Sequence, residues 1–111
     1  MALYMLMAKY SAAALKGIME SGSDREVVAR QAVETAGGKL LGFYGMLGQE
    51  YQLAMILEMP GHAEYLGAVG PAIASGVFEI YKTIPLYSPG DVLRALPIAK
   101  KVAAVYRPPG A

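Results

Sequence analysis

Hydrophobic side chains are concentrated in four short runs that are apolar at nearly every position. The runs cover residues 3–10, 39–47, 51–59 and 77–87. Their length and their aromatic, Leu, Ile and Met content predict β-strands. Alternate residues of a strand point to opposite faces of a sheet, so Leu3, Met5 and Met7 share one face and the residues between them share the other. Because both sets are apolar, the pattern predicts a sheet that is covered on both faces.

Two helices are predicted between the first and second runs. Ser11 is a typical N-cap for the first helix, and Gly22 is placed to end it. Ser23 and Glu26 have the spacing of a capping box, so a second helix is predicted to begin there and to end at the Gly37-Gly38 pair. Alanine and valine recur at helical spacing in this second segment, which predicts a buried stripe.

Two more helices are predicted in the second half of the chain. One runs from about His62 to Ser75, with a kink or a restart at Pro71. Its expected buried line is Leu66, Val69 and Ile73. The other begins at Ser88-Pro89-Gly90-Asp91, which combines an N-cap serine, a proline at the first helical position and an acid in the first turn. This last helix is expected to be interrupted at Pro97 and to end near Tyr106.

The order of the predicted elements is β-α-β-β-α-β followed by a terminal helix. This is the order of the split βαβ ferredoxin-like arrangement, an α+β fold whose helices lie on one face of an antiparallel sheet. The other face would expose several hundred Å² of apolar surface in a monomer, so we expect a homo-oligomer, either a dimer or a multiple of it. Residues 1–106 are expected to form one domain, followed by a loose tail over residues 107–111.

Composition narrows the possible functions. Of the 111 residues, 55% are hydrophobic and 17% are charged, and the net charge is +1, so the basic footprint of a nucleic-acid-binding protein is missing. The chain has no cysteine and a single histidine, so we expect no disulfide, no metal and no cofactor. No apolar run reaches the length of a membrane span, and no basic region precedes the N-terminal apolar stretch. We therefore expect a cytoplasmic protein with neither membrane nor nucleic acid as a partner.

Several segments of the chain match a known family. They are Lys9-Tyr10-Ser11, Leu15-Lys16-Gly17-Ile18, Gly37-Gly38-Lys39-Leu40, Gly42-Phe43-Tyr44 and the hairpin from Gly48 to Pro60. From about Leu3 to Leu96 the chain resembles the GYD-domain family, which is placed with the dimeric α/β-barrel proteins. Most members are small bacterial and archaeal proteins. The resemblance therefore implies a fold and a mode of assembly more than a function.

The motif of this family places Gly, Tyr and Asp close together at the start of the third strand. Gly48 and Tyr51 match the first two residues, but Gln52 stands where the acid is expected, and the turn is one residue longer. A glutamine forms hydrogen bonds but does not titrate. The resemblance therefore transfers no titrating acid to position 52.

Few residues are candidates for a functional site. His62 is the only side chain of a type that titrates near neutral pH, and it and Tyr51 are weak candidates for acid–base catalysis. A histidine at a helix start is more often solvated or capping. Tyr44, Tyr51, Tyr81 and Met55 are candidate ligand-binding residues, because phenols and thioethers on neighbouring strands can line a barrel interior. Ordinary packing in a core or an interface explains the same residues.

Three functional hypotheses stay open at this point. The first is a homo-oligomer that binds a small apolar or aromatic molecule in a barrel interior. The second is a cofactor-independent enzyme similar to the small monooxygenases and isomerases of related barrels. The third is a purely structural or protein-partner module whose apolar face is consumed by assembly. A cavity of about 300 Å³ in the folded protein, the size at which ligand pockets begin, separates the first two hypotheses from the third.

Overall fold

A computed structural model of the chain describes residues 1–110, which form four strands and four helices. In chain order the elements are β1 (Ala2–Tyr10), α1 (Ala12–Ser21), α2 (Arg25–Thr35), β2 (Lys39–Gly45), β3 (Leu53–Met59), α3 (His62–Ala74), β4 (Phe78–Leu86) and α4 (Pro89–Ala103). The predicted α+β fold is confirmed, with both α1 and α2 inserted between β1 and β2.

The strands form one antiparallel sheet in the order β2-β3-β1-β4. Strands β1 and β3 therefore lie in the centre, as the split βαβ arrangement requires. Strand β4 lies at an edge, which is where a strand tolerates a proline such as Pro85. Pairing on both sides of β1 fixes the register, so that Met5 lies between Ile56 of β3 and Ile84 of β4.

The core lies between the sheet and helices α2 and α3. From the two central strands, the buried side chains are Tyr4, Leu6, Ala8, Leu53, Met55, Leu57 and Met59. From the helices, they are Val33, Tyr65, Ala68 and Val69. Burial of apolar surface stabilises the fold by about 25 cal/mol per Å². Since all of these strand residues point to the same side, the helices select one face of the sheet as the core.

Local capping signals explain where the first helices begin and end. The Ser11 hydroxyl accepts a hydrogen bond from the amide of Ala14, and Gly22 ends α1 with a left-handed φ of 64°. The second start differs from the prediction, because Asp24 rather than Ser23 is the N-cap of α2. The carboxylate of Asp24 accepts hydrogen bonds from the amides of both Glu26 and Val27, which a single serine hydroxyl does less well.

Helix α3 differs from its prediction in two respects. It does not restart at Pro71 but continues through it, because a proline removes one backbone hydrogen bond and the rest of the ladder continues around it. Leu66 was expected in the core but is 65% exposed, and Tyr65 takes the buried position instead. The ring of Tyr65 packs on the ring of Tyr4, with 4.4 Å between their centroids, and this contact sets the rotation of α3.

Helix α4 extends away from the rest of the protomer. Its large apolar side chains from Val92 to Val102 are 44% to 68% exposed. The Cα radius of gyration is 18.2 Å, whereas a compact domain of this length has a value of about 13 Å. A capping box between Ser88 and Asp91 stabilises the helix start without tertiary packing. The expected interruption at Pro97 is wrong, since in an exposed helix the carbonyl freed by a proline is hydrated.

Candidate functional site

The face of the sheet opposite α2 and α3, termed the free face, carries apolar side chains that the helices leave uncovered. These side chains are Leu3, Met5, Met7, Ala54, Ile56, Ile80, Ile84 and Leu86. None of them is buried, whereas the buried residues of the same strands belong to the opposite face. Exposed apolar patches are candidate interaction sites.

Tyr44 gives the free face an aromatic surface. Its side chain is 64% exposed. Its ring lies over Gly42, where a Cβ atom would stand 2.7 Å from a ring carbon of Tyr44. The residue opposite Tyr44 on β3 is Ala54. Because Gly42 and Ala54 are both small, the surface of the free face is depressed beside the ring. An aromatic ring beside a depression suits contact with a flat apolar group.

On the other side of the sheet, a cavity of about 80 Å³ lies between the sheet and helices α2 and α3 and is termed the helix-side cavity. Its walls include Ala29 and Ala32 of α2, and Ala68 and Ala72 of α3. Its floor is formed by Leu6, Phe43, Leu53, Met55 and Leu57. The cavity exists because methyl side chains on both helices do not fill the space above the sheet.

The helix-side cavity has two polar groups at one end. Arg25, at the start of α2, lines both the cavity and the adjoining surface groove between α2 and α3. Tyr10, at the end of β1, also lines the cavity, and its ring centroid lies 6.0 Å from that of Phe78. Burial raises the pKa of Tyr10, and the positive charge of Arg25 opposes this rise. Hydrogen-bond donors therefore stand at the mouth of an otherwise apolar space.

Arg25 is partly buried and has no carboxylate within 4.0 Å among residues 1–110. Its guanidinium donates to the Ser23 hydroxyl oxygen at 3.5 Å, a long hydrogen bond. The acids beside it act elsewhere: the carboxylate of Asp24 caps α2, and Glu26 pairs with Arg30 at 3.8 Å. The cation at the cavity mouth is thus left without an ionic partner in the described part of the chain.

The four predicted ligand-binding residues do not come together. Tyr44 lies on the free face, whereas Met55 is buried in the floor of the helix-side cavity. Tyr81 is 48% exposed and pairs with Ala8, which places it on the helix side of the edge strand β4. Tyr51 lies partly exposed in the bend before β3. Strand register sends Tyr44 and Tyr81 to opposite faces, so one protomer does not bring these phenols to the same side of the sheet.

The structure pairs His62 with Tyr4 rather than with Tyr51. Nδ1 of His62, the first residue of α3, shares a hydrogen bond with the hydroxyl of the buried Tyr4. The neighbouring Tyr65 hydroxyl shares a hydrogen bond of 2.6 Å with Oγ1 of Thr83. Neither His62 nor Tyr4 lines the helix-side cavity. The pair satisfies a buried phenol, which is a structural role.

Gln52, at the family's acid position, also has a structural role. Its side-chain carbonyl accepts a hydrogen bond of 3.2 Å from the amide of Tyr10. Its own backbone amide donates to the carbonyl of Ala8 at 2.9 Å. These bonds tie the segment before β3 to the end of β1, and none of them needs a group that titrates.

Sequence patterns give no signal for Arg25 and Tyr10 as a site. One begins a helix and the other ends a strand, and only the packing of α2 on the sheet brings both to the cavity. Within residues 1–110 no group of three His, Cys, Asp or Glu side chains is arranged to hold a metal ion. In the same residues no helix combines the length and the hydropathy needed to cross a membrane.

Comparison with known proteins bears on the family of this chain. No curated protein matches it. A family model described as the GYD domain matches residues 4–96. The match extends from β1 into α4, so it includes the whole sheet and both helices that enclose the cavity. The chain therefore belongs to the GYD-domain family.

Proposed function

We propose that this GYD-domain protein is a homo-oligomeric binding protein for a small apolar or aromatic molecule. The observation that carries the proposal is the helix-side cavity, an apolar space beneath two helices that the protein's own side chains leave unfilled. A void of 80 Å³ lowers stability by at most about 2 kcal/mol at roughly 24 cal/mol per Å³. A ligand that fills the space offsets this loss.

The helix-side cavity is smaller than the roughly 300 Å³ at which pockets for drug-sized ligands begin, so its size limits the ligand to a few atoms. A water molecule needs about 10–15 Å³ of such space, so 80 Å³ accommodates roughly five to eight non-hydrogen atoms. Met55 in the floor is unbranched and flexible, so the floor adapts to the shape of the occupant. The proposed ligand is a small molecule, or the apolar end of one that continues into the groove between α2 and α3.

Self-association is the second part of the proposal and rests on the free face. Packing the free faces of two copies together removes their apolar side chains from water. Glu58 lies opposite Lys39 at the Leu3 end of this face, and Lys9 pairs with Glu79 at the other end. Charges at both ends are thus matched within each copy, so the apolar area between them favours a second copy as the occupant.

Helix α4 extends the surface that a second copy can cover. Residues 81–111 carry five basic and one acidic side chain, whereas residues 1–80 carry five basic and eight acidic ones. A projecting basic helix is therefore attracted to the more acidic body of another copy. Its exposed apolar side chains then add to the buried area.

Native mass spectrometry of the freshly purified protein tests both parts. The expected result is the mass of a dimer, or of a multiple of it, with a small bound molecule that dissociates on collisional activation of the complex. A monomer at micromolar concentration overturns the self-association. An oligomer that has the mass of the protein alone and also fails to bind added 1-hexanol or toluene overturns the binding function. That result favours a purely structural module.

Two matched variants locate the ligand. Ala72→Leu places a larger side chain in the cavity and is expected to abolish toluene binding, because the space is then filled. Ala63→Leu, on the exposed surface of the same helix, is expected to leave binding unchanged. If binding were lost in a Tyr44→Ala variant instead, the ligand would lie between the sheets of two copies. This result would overturn the location proposed here.

Acid–base catalysis is not part of the proposal. The Tyr4–His62 pair does not border the cavity, and Tyr51 is not among its lining residues. We therefore expect His62→Ala and Tyr51→Phe to leave ligand binding unchanged. If the protein converted a bound molecule to a product and either variant abolished this turnover, the result would favour the enzyme hypothesis over a binding protein.

A further inference from the structure

The helix-side cavity is apolar along its length but carries a cation at its mouth. From this arrangement we infer that its ligands are short-chain carboxylates, with the hydrocarbon tail in the cavity and the carboxylate on Arg25. The inference rests on the proposed function, since it names the ligand class of the same cavity. It goes further because a purely apolar ligand makes no use of Arg25.

The state of Arg25 is the first argument. Its side chain is partly buried, and no carboxylate among residues 1–110 lies within 4.0 Å of it. The other ionic contacts of α2 are complete, because Glu26 pairs with Arg30 and the carboxylate of Asp24 caps the helix. The Ser23 hydroxyl and the Tyr10 phenol contact this guanidinium but do not neutralise it, and a partly dehydrated charge without a counter-charge is unfavourable. An anion delivered by a ligand removes this cost.

The chemistry of the mouth is the second argument. A guanidinium presents a planar fork of donors that matches both oxygens of a carboxylate. The phenol of Tyr10 lies at the same end of the cavity and supplies a further donor. One guanidinium balances one negative charge, so a carboxylate suits the site better than a dianionic phosphate monoester.

The dimensions of the cavity set the length of the tail. Space for roughly five to eight non-hydrogen atoms accepts the five carbons that follow the carboxylate of hexanoate. Arg25 borders both the cavity and the outer groove. A carboxylate at the mouth therefore keeps partial contact with water while its tail is buried, which is the arrangement that an amphipathic anion prefers.

The test compares two probes that differ only in the head group. Hexanoate and hexanamide are titrated into the full chain at neutral pH while ¹H–¹⁵N spectra are recorded. We expect hexanoate to bind about tenfold more tightly, because it adds a charge-assisted hydrogen-bonded pair. The largest shifts are expected at the amides of Ala29, Ala72 and Phe78, which line the cavity.

Two charge variants isolate the contribution of Arg25. Arg25→Gln is expected to bring the hexanoate affinity down to that of hexanamide. Arg30→Gln removes the same charge from the same helix without touching the cavity, and it is expected to keep the preference for hexanoate. The comparison of probes in the native chain stands even if a variant does not fold.

The possible failures are distinguishable. If hexanoate and hexanamide bind in the cavity with equal affinity, the carboxylate inference is overturned while the proposed function stands. If neither probe shifts the cavity amides, both are overturned. If Arg30→Gln removes the preference for hexanoate as fully as Arg25→Gln does, the preference comes from the general charge of α2. This outcome also overturns the assignment to Arg25.

Discussion

The two faces of the sheet are built from similar side chains but have different surroundings. Leu57 and Ile56 are neighbours on β3, yet Leu57 is 1% exposed beneath the helices, while Ile56 is partly exposed opposite Met5 on the free face. Hydrophobicity therefore does not decide which face becomes the core. The helices decide it, because each of them has one apolar stripe and covers one side of the sheet. The helix side is covered within the chain, whereas the free face stays uncovered in the protomer.

The largest expected difference between the faces is in their contribution to folding. Leu57→Ala leaves a hole in the core and is expected to lower the free energy of unfolding by about 2–5 kcal/mol. Ile56→Ala, one residue away on the free face, is expected to cost less within the protomer because its surroundings are partly open. Urea denaturation of both variants at low protein concentration measures the difference. Equal losses would mean that both faces are core in the isolated protomer.

A charge in the middle of the free face is expected to break self-association. Met5 lies between Ile56 and Ile84, so Met5→Glu would bury a carboxylate among apolar side chains if two free faces met. The dissociation constant is expected to rise by roughly 100-fold or more. Analytical ultracentrifugation measures it. Met19→Glu, at a position of α1 that is 78% exposed, is the control and should leave association unchanged.

Substitution of two glycines allows the two faces to be compared at the level of single contacts. A Cβ at Gly38 would lie 2.3 Å from the sulfur of Met59 and 2.7 Å from the carbonyl oxygen of Glu58. Neither group can move easily, so Gly38→Ala is expected to lower the free energy of unfolding by about 1–3 kcal/mol. At Gly42 the new Cβ would meet only the exposed ring of Tyr44, which can rotate away.

The expected cost of Gly42→Ala is therefore within about 0.5 kcal/mol. Thermal or urea unfolding of the two variants measures both values. A large loss in Gly42→Ala together with a small one in Gly38→Ala would contradict the view that the helix side is rigid and the free face adaptable.

A pH-dependent effect concerns the hydroxyl of Tyr65 on the helix side. Burial raises the pKa of Tyr65, and the hydrogen bond with Thr83 opposes the rise. Because the pKa is higher in the folded chain than in the unfolded chain, the unfolded chain ionises first as the pH rises. The free energy of unfolding is therefore expected to be constant below a pH of about 10 and to fall above it.

Tyr65→Phe tests this pH dependence. The variant loses the hydrogen bond with Thr83, so it is expected to be less stable by about 1 kcal/mol at neutral pH. Its decline in alkaline solution is expected to be shallower than that of the native chain, because one of the buried phenols is gone. Urea unfolding between neutral and alkaline pH measures both effects. An unchanged alkaline slope would show that Tyr65 does not contribute to it.

Local features of this fold were predictable from short stretches of sequence. The caps at Ser11 and Ser88 and the end of α1 at Gly22 depend on a few neighbouring residues, and all three are confirmed. The alternation in β3 from Leu53 to Met59 is confirmed for the same reason. A strand period of two residues is a property of the backbone and needs no tertiary contact.

Features that depend on distant residues were less predictable. Leu66 and Tyr65 are adjacent and both apolar enough for a core, and only the contact of Tyr65 with Tyr4 selects between them. The candidate site shows the same limit, because of the four predicted ligand-binding residues only Met55 lines the helix-side cavity. Arg25, which distinguishes the cavity mouth, has no local pattern that separates it from a surface arginine.

The sequence by itself determined the strands, the order of the elements and the apolar character of both faces of the sheet. Tertiary structure alone decided which face the helices cover, where the alanines of α2 and α3 leave space, and that Arg25 and Tyr10 meet at one end of that space. The physical reason is that strand and helix periods are imposed by the backbone within one segment. A cavity, in contrast, is a difference between the volumes that several distant segments contribute, and no single segment records it.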